Sequence, residues 1–320
     1  MNTERCGGWI SRDRNPWIRG LRSQLAAYFA ARGLPVSHRY GYILADRDDW
    51  RENIIEPRVA DFVTRLQTNR QSQGRPFPLH RWIHHGLSSQ ALLFNLLGPI
   101  IVNCQWDVVD RIFQEADIRL KGSVLGVDLE IEDRAVFEEW QGQPTSVDLV
   151  CRTDTDEGVY VEFKFTEAEF GGCSVFERGN CDGRNPAANF DLCYLHTLGR
   201  RYWPLLEKHS LLTNAVRAES RCPFIDLYQA YRVLLFALEK GGHFLLMYDE
   251  RNPSFLAQTP RLRRGLFARF EEALPAEARA RCHSITHQAM VAILERQGNA
   301  DWLIEVQEKY FGSATEEEKD

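Results

Sequence analysis

Patterns that mark several large protein classes are missing from this chain of 320 residues. No run of 18 apolar residues occurs, so the sequence predicts no membrane-spanning helix. The N-terminal residues 1–8 contain no apolar signal core, and we therefore expect a cytoplasmic location. The patterns GxxxxGK followed by Ser or Thr, GxGxxG after a strand, HExxH and GxSxG are also missing. These absences argue against ATPases, Rossmann dehydrogenases, zincins and α/β-hydrolases.

Lysine is scarce, because positive charge is supplied almost entirely by arginine: the chain has six Lys and 33 Arg. A lysine provides a compact charge with a tunable pKa, which arginine does not. One of the few lysines, Lys164, lies inside a predicted strand, and this placement favours a chemical role. The alternative is an ordinary exposed strand that carries a Glu–Lys pair.

The formal net charge of −6 argues against a protein that coats nucleic acid by charge alone. An enzyme that meets DNA at one local patch need not be basic overall. The net charge of the chain is therefore compatible with a nuclease.

Apolar periodicity predicts secondary structure along most of the chain. Helices are expected at about 17–33, 49–71, 88–97, 106–116, 187–208, 226–240, 262–273, 287–296 and 301–310. Strands are expected at about 124–132, 145–152, 158–166, 243–249 and 281–286. The central order of helix, three strands, helix and strand predicts an α/β fold.

Two of these strands, 145–152 and 158–166, form a predicted hairpin around a polar turn. Strand side chains alternate between the two faces of a sheet. The first strand is expected to have one apolar face, formed by Val147, Leu149 and Cys151. Asp148 is expected on the opposite face, and Glu162 and Lys164 share the polar face of the second strand. One sheet face therefore carries two carboxylates and one ammonium group.

This set of groups suits metal-dependent cleavage of a phosphodiester. Mg²⁺ prefers oxygen ligands and keeps several waters, so Asp148 and Glu162 are expected to hold one Mg²⁺ or Mn²⁺ ion between them. The ion stabilises charge on the phosphate and makes a bound water easier to ionise. Lys164 is expected to orient that water or to neutralise charge in the transition state. On spacing alone, a solvated hairpin face with a weak salt bridge explains the same residues.

The segment Glu162-Phe163-Lys164, preceded by Asp148 on the neighbouring strand, resembles the active-site motif of the PD-(D/E)XK nuclease superfamily. Within that superfamily the chain is most similar to uncharacterised bacterial restriction-endonuclease-like proteins. Val147 stands where a Pro usually precedes the Asp. The resemblance implies that Asp148 and Glu162 are metal ligands, that the Phe163 carbonyl adds a further ligand, and that Lys164 is the catalytic lysine.

The resemblance also implies the fold and its limits. We expect an α/β restriction-endonuclease-like core, with a mixed central sheet flanked by helices and helical additions at both ends. The nuclease-like core is predicted at 88–250, between an N-terminal helical region at 1–87 and a C-terminal helical extension at 251–311. Residues 312–320 are expected to form a disordered tail.

Two glutamines are candidate auxiliary residues in the light of this resemblance. Some members of the superfamily use an acidic or polar residue on the first core helix, where Gln90 is the best-placed side chain. Others use a Gln on the helix after the lysine strand, a place that Gln229 can fill. The Tyr that usually follows four residues later is Val233 here.

Four cysteines follow the lysine strand within 50 residues: Cys173, Cys181, Cys193 and Cys222. Four thiolates can bind Zn²⁺ or an iron–sulfur cluster. Some PD-(D/E)XK nucleases carry a four-cysteine cluster, but their tight C-x2-C spacing is missing here. The alternative is a set of unrelated buried or loop thiols.

A basic and aromatic stretch, Arg81-Trp82-Ile83-His84-His85, precedes the first core helix. It is either a phosphate-contacting patch with an aromatic for stacking or a solvated helix entrance.

Three functions stay open from the sequence. The leading hypothesis is a Mg²⁺-dependent nuclease, either an endonuclease or an exonuclease, that acts on nucleic acid, with DNA as the expected substrate. The second is a catalytically silent nuclease fold that serves as a binding module. The third is a structural metalloprotein built around the four cysteines.

Overall fold

A computed structural model of the chain describes residues 14–75, 77–155, 157–256, 265–298 and 301–312. The predicted disordered tail lies outside the described residues except for Gly312. None of the described helices is long and apolar enough to cross a membrane.

A five-stranded mixed sheet forms the centre of the fold, with the strands in sequence order across it. Its strands are β1 (Val124–Asp133), β2 (Thr145–Thr153), β3 (Gly158–Lys164), β4 (His243–Tyr248) and β5 (Cys282–Thr286). The pairs β1–β2 and β2–β3 are antiparallel, whereas β3–β4 and β4–β5 are parallel. The parallel pair β3–β4 needs a crossover, and a long helix supplies it. The predicted α/β class with a mixed central sheet is confirmed.

Helices flank the sheet on both faces. In chain order they are α1 (Arg14–Ala31), α2 (Pro57–Ser72), α3 (Ser89–Val102), α4 (Trp106–Glu115), α5 (Ser174–Glu177), α6 (Tyr194–Thr197), α7 (Tyr202–Lys208), α8 (Asn214–Ala218), α9 (Phe224–Glu239), α10 (Pro253–Leu256), α11 (Leu266–Ala273), α12 (Ala276–Arg279), α13 (His287–Arg296) and α14 (Asp301–Val306). Short 3₁₀ turns cover Asp48–Asn53 and Phe190–Leu192, and a π-helical turn covers Gln307–Phe311.

Helix α3 is buried on all sides, as expected for a helix that is apolar all round. It begins after Ser88, whose side chain accepts a hydrogen bond from the Ala91 amide at 3.3 Å and so caps the first turn. The helix packs against α2, α4 and β3, within one apolar core on this side of the sheet. The predicted helix start at residue 88 is confirmed, and the helix runs five residues further than predicted.

Helix α9 forms the crossover between β3 and β4 and packs against both strands. Its apolar side chains form a second core on the other face of the sheet, together with alternate residues of β3 and β4 such as Tyr160, Phe244 and Leu246. The sheet therefore lies between two separate apolar cores. The polar side chains near the ends of its strands are available to form a functional site.

Two long predicted helices are wrong. The helix expected at 187–208 is instead a 3₁₀ turn, α6 and α7. It breaks at Gly199, whose φ of 81° is a left-handed conformation that ends helices. The helix expected at 49–71 is split before Pro57, because the preceding Glu56 takes an extended conformation.

The predicted hairpin forms, but its apolar face is wrong at Val147. Leu149 packs into the first core, whereas Val147, two residues earlier, packs into the second. The paired strand changes side at the same level, because Leu129 packs into the first core and Ile131 against the second. Between these residues lies Glu130, with a φ of 48°. This left-handed residue locally twists the strand pair at the level of Asp148.

Candidate active site

A cavity of about 440 Å³ opens where α3, α9 and the first three strands meet. The five residues predicted from the sequence as a catalytic and auxiliary set all line it: Gln90, Asp148, Glu162, Lys164 and Gln229. The other residues in its lining are Pro78, His80, Ser89, Leu93, Glu130, Glu132, Gln143, Ser146, Phe163 and Glu167. The fold thus gathers the five predicted side chains, which are up to 139 residues apart in the sequence.

Lys164 is the cation at the centre of this cavity. Its Nζ lies 2.8 Å from Glu162 Oε1 and donates a hydrogen bond to Gln229 Oε1 at 2.7 Å. Lys164 and Glu162 have only 5% and 2% of their surface exposed, so this pair is not a solvated hairpin salt bridge. An ammonium group has three N–H donors. Within the described part of the chain two of them have protein partners, which leaves one for a bound molecule.

Asp148 lies across from Glu162 on β2. Its Oδ2 accepts a hydrogen bond from the Phe163 amide at 2.8 Å, which fixes one carboxylate oxygen against the edge of β3. Asp148 also belongs to the lining of the cavity. Burial, with the neighbouring carboxylates of Glu162 and Glu130, raises the pKa of Asp148 well above its ordinary value.

Glu130 is a third carboxylate in the cavity that the sequence interpretation missed. Gln90 donates a hydrogen bond to its Oε1 at 2.6 Å, and Ser146 donates to its Oε2 at 3.2 Å. Burial raises the pKa of Glu130 to about 7, and the charge of Glu162 adds to this effect. Gln90, predicted as an auxiliary on the first core helix, therefore acts on the cavity by holding an acidic side chain of the sheet.

The charge of Lys164 is secure at neutral pH. Burial alone lowers the pKa of its ammonium group, but the carboxylates of Glu162, Glu167 and Asp148 outweigh burial and raise the pKa above its ordinary value. A lysine with a raised pKa stays protonated, so it can donate hydrogen bonds and stabilise negative charge. It cannot serve as a base at neutral pH.

The cavity is suited to a divalent cation in charge and in ligand type. Five carboxylates line the cavity with the one ammonium group, and burial, together with this negative charge, raises the pKa values of Asp148 and Glu130. Mg²⁺ takes one or two carboxylates and keeps several waters. Among the described residues, no three His, Cys, Asp or Glu side chains surround one ion position. The assignment of Asp148 and Glu162 as metal ligands therefore stays a prediction, and it requires the remaining ligands to come from water and the backbone.

Residues 22–311 match the sequence model of the family described as "Restriction Endonuclease associating with ARP". This match covers most of the chain. The chain belongs to this family. No curated protein and no solved structure matches it significantly.

Membership of a restriction endonuclease family confirms the predicted likeness to restriction-endonuclease-like proteins. Placement in the PD-(D/E)XK superfamily stays a prediction, as do the boundaries at 87/88 and 250/251. The family match extends across both boundaries. Strand β5 follows residue 250, the predicted end of the core, and yet it belongs to the central sheet.

A weak signal for Glu130 was present in the sequence. Acidic residues alternate in the segment Asp128-Leu129-Glu130-Ile131-Glu132, which is the pattern of a polar strand face. The alternation alone does not predict which of these acidic side chains lines the cavity. Asp128 pairs with Arg152 at 2.6 Å on the exposed side, whereas Glu130 and Glu132 both line the cavity.

The four predicted cysteine ligands lie apart from this cavity and are brought together. Cys173, Cys181, Cys193 and Cys222 all line one small cavity on the side of α9. None of them forms a disulfide.

Two exposed tryptophans lie close in sequence to the lining of the active-site cavity. Trp82, with 43% of its surface exposed, follows His80 by two residues, and the Arg81 guanidinium lies 4.8 Å from its ring centre. Trp140, with 66% exposed, precedes Gln143 by three residues. Arg81 and Trp82 thus retain the features of a phosphate-contacting and stacking patch.

Proposed function

We propose that this protein is a Mg²⁺-dependent nuclease that hydrolyses phosphodiester bonds, with DNA as its substrate. The observation that carries the proposal is the buried pair of Glu162 and Lys164, with Gln229 and Asp148 beside it in one cavity. Burying ionisable groups costs free energy, and buried groups with perturbed pKa values cluster at functional sites. Membership of a restriction endonuclease family supports the same reaction.

Asp148 and Glu162 hold the metal ion in this proposal. When bound, the ion supplies charge stabilisation at the phosphate and a more acidic water. Lys164, held by Glu162 and Gln229, keeps its remaining N–H donor for the phosphate oxygen that gains negative charge. The Phe163 amide keeps Asp148 in place at the strand edge.

Glu130 is the proton acceptor for the attacking water. A general base works best when its pKa lies near the working pH, and the pKa of Glu130 is about 7. Gln90 and Ser146 each donate to a different oxygen of this carboxylate and so fix its orientation. Lys164 cannot take this role because it stays protonated.

The substrate enters over Arg81 and Trp82. A nucleic acid offers phosphates for the guanidinium group and bases for the exposed indole ring. This route is compatible with a net charge of −6, because only a local patch meets the substrate.

The test is cleavage of plasmid and of single-stranded DNA with Mg²⁺ and with EDTA. Wild type is expected to cut only with Mg²⁺, and Lys164→Ala is expected to lose about 10²- to 10³-fold in rate. Lys208→Ala is the matched control, because Lys208 is an exposed lysine on α7 outside the cavity lining. Equal cleavage by wild type and Lys164→Ala, or cleavage that persists in EDTA, contradicts the proposal.

A catalytically silent binding module is the competing explanation. It predicts DNA binding without cleavage and no effect of Mg²⁺ on unfolding. A thermal unfolding series with Mg²⁺ or Mn²⁺, on wild type and Asp148→Asn, separates the two. The nuclease predicts metal stabilisation of wild type that is lost in the variant.

A further inference from the structure

The loop between β1 and β2, residues 134–144, presents one strongly exposed aromatic side chain. Trp140 has 66% of its surface exposed, more than any other Phe, Tyr or Trp of the described residues. Within the same part of the chain, no ring stacking and no cation–π contact involves its indole group. Single exposed apolar side chains are ordinary at protein surfaces, so the contacts and the position of this loop decide whether Trp140 has a role.

The backbone on both sides of Trp140 is fixed by two arginine side chains. Arg134 and Arg200 donate hydrogen bonds to four backbone carbonyls, two before Trp140 and two after it: those of Glu138, Glu139, Gln141 and Gly142. Three of these hydrogen bonds measure between 2.7 and 3.3 Å. A side chain on a loop held in this way loses little conformational entropy when it binds a partner.

The same loop is anchored in the protein interior. Phe137 is fully buried, and its ring centre lies 4.9 Å from that of Tyr202 in the second core. Glu139, the residue before Trp140, has only 2% of its surface exposed. Its carboxylate accepts hydrogen bonds from three groups: the Tyr202 hydroxyl, the Thr145 amide and the Arg232 guanidinium. The exposure of Trp140 is therefore not the result of a loosely packed loop.

The loop also borders the active-site cavity. Gln143, three residues after Trp140, belongs to the lining of the cavity. Three residues of extended chain span at most about 11 Å. Glu132 and Ser146, in the two strands that the loop joins, line the cavity as well. A nucleic-acid strand whose phosphate occupies the cavity therefore brings its neighbouring nucleotides to Trp140.

The charges around Trp140 favour a polyanion as its partner. The two acidic residues of the loop, Glu138 and Glu139, each form an ion pair with an arginine, at 3.6 and 3.4 Å. Among the ion pairs of the described residues, Arg134 and Arg200 have no carboxylate partner. Each of these guanidinium groups has five N–H donors and uses two of them on the loop carbonyls. This local positive charge contrasts with the net charge of −6 of the chain. DNA offers phosphates for such arginines and base faces for the indole group.

The state of the DNA follows from the geometry of stacking. In an intact duplex both faces of a base are covered by its neighbours, whereas an unpaired or extruded base can stack on an aromatic side chain. We propose that Trp140 stacks on an unpaired nucleobase beside the scissile phosphate, so that DNA with unpaired bases at the cut is preferred over an intact duplex. The position of the cut rests on the proposed nuclease function, whereas the stacking does not.

The first test measures affinity in EDTA, with a labelled single-stranded oligonucleotide and with a blunt duplex of the same sequence. Trp140→Leu is expected to weaken binding of the single strand about 5- to 150-fold, the range for one base on an aromatic ring, and to leave the duplex affinity unchanged. Trp140→Phe keeps an aromatic ring and is expected to retain most of the affinity. Leu125→Ala is the matched control, because Leu125 is an exposed apolar residue of β1 outside the cavity lining.

The second test locates the stacked base. In a series of single-stranded oligonucleotides, one nucleotide at a time lacks its base. Wild type is expected to bind one or two members of the series about 5- to 150-fold more weakly, at positions that flank the site cut with Mg²⁺. Trp140→Leu is expected to bind these members as it binds the complete strand, because the interacting partner is already gone.

Three results would each overturn the stacking of Trp140 on an unpaired base. They are an unchanged affinity of Trp140→Leu for single strands, an equal loss for single strands and duplex, and the same dependence on missing bases in wild type and variant. Affinity in EDTA does not depend on cleavage. A protein that shows the expected binding but cuts no DNA therefore contradicts the nuclease function alone.

Discussion

Glu130 offers the sharpest quantitative prediction, because its charge is linked to folding. The pKa of its carboxyl is raised from 4.5 to about 7, chiefly by burial. A tenfold change in acidity corresponds to about 1.4 kcal/mol. The ionised carboxylate therefore destabilises the metal-free fold by on the order of 3 kcal/mol once the pH is well above 7.

The sign follows from the two states of the chain. The folded protein holds the Glu130 proton more tightly than the unfolded chain does. The stability that this proton contributes is complete below about pH 4.5 and is lost as the pH rises through about 7. Glu130→Gln imitates the protonated side chain and keeps an acceptor for Gln90. The variant should match wild type at about pH 4.5 and exceed it by on the order of 3 kcal/mol at about pH 9.

Denaturant unfolding in EDTA across this pH range measures the difference. Glu132→Gln is the matched control, because it removes the same charge from the same strand and the same cavity lining. A free-energy difference between Glu130→Gln and wild type that does not change with pH in EDTA refutes the reasoning.

Three further predictions follow from single contacts. Gln229→Leu removes one of the two described hydrogen-bond acceptors of Lys164. In steady-state cleavage assays kcat should therefore fall about 10- to 100-fold with KM unchanged. A change confined to KM would contradict a role of Gln229 in positioning Lys164. Trp82→Ala should weaken single-stranded DNA binding by about 1–3 kcal/mol in fluorescence titrations, whereas Ile304→Ala, at an exposed position on α14, should not; equal affinities would exclude stacking on Trp82. Ser88→Ala should lower the free energy of unfolding by about 1 kcal/mol in chemical unfolding, because the hydrogen bond that caps α3 is lost, and Ser89→Ala should have a smaller effect. Equal losses of stability in the two variants would contradict a stabilising role for this cap.

Much of the fold could be predicted because local signals and tertiary packing agree. Helix α3 has an N-cap residue followed by an apolar run, and β2 and β3 alternate around a polar turn. Because lysine is scarce in the chain, its presence in a predicted strand indicated a role for Lys164, and Lys164 is buried beside Glu162 in the structure. These features depend on neighbouring residues, which a sequence displays directly.

The remainder depends on geometry that spacing does not encode. Glu130 lies in the cavity with a left-handed backbone and with hydrogen bonds from Gln90 and Ser146, and no local sequence pattern predicts either feature. Gly199 breaks the long helix expected at 187–208 through its own positive φ, although a glycine alone does not end every helix. The segments of Cys181 and Cys222 are joined by a bridge between Arg184 and Arg221, which are 37 residues apart. Long-range pairing of this kind leaves no local pattern.

The central claim is that Asp148 and Glu162 share one divalent metal ion beside Lys164. Anomalous scattering from Mn²⁺ in crystals of the protein tests it most directly. The account predicts one peak between these two carboxylates in wild type and its loss in Asp148→Asn. A peak elsewhere, or no peak at saturating Mn²⁺, would contradict the claim.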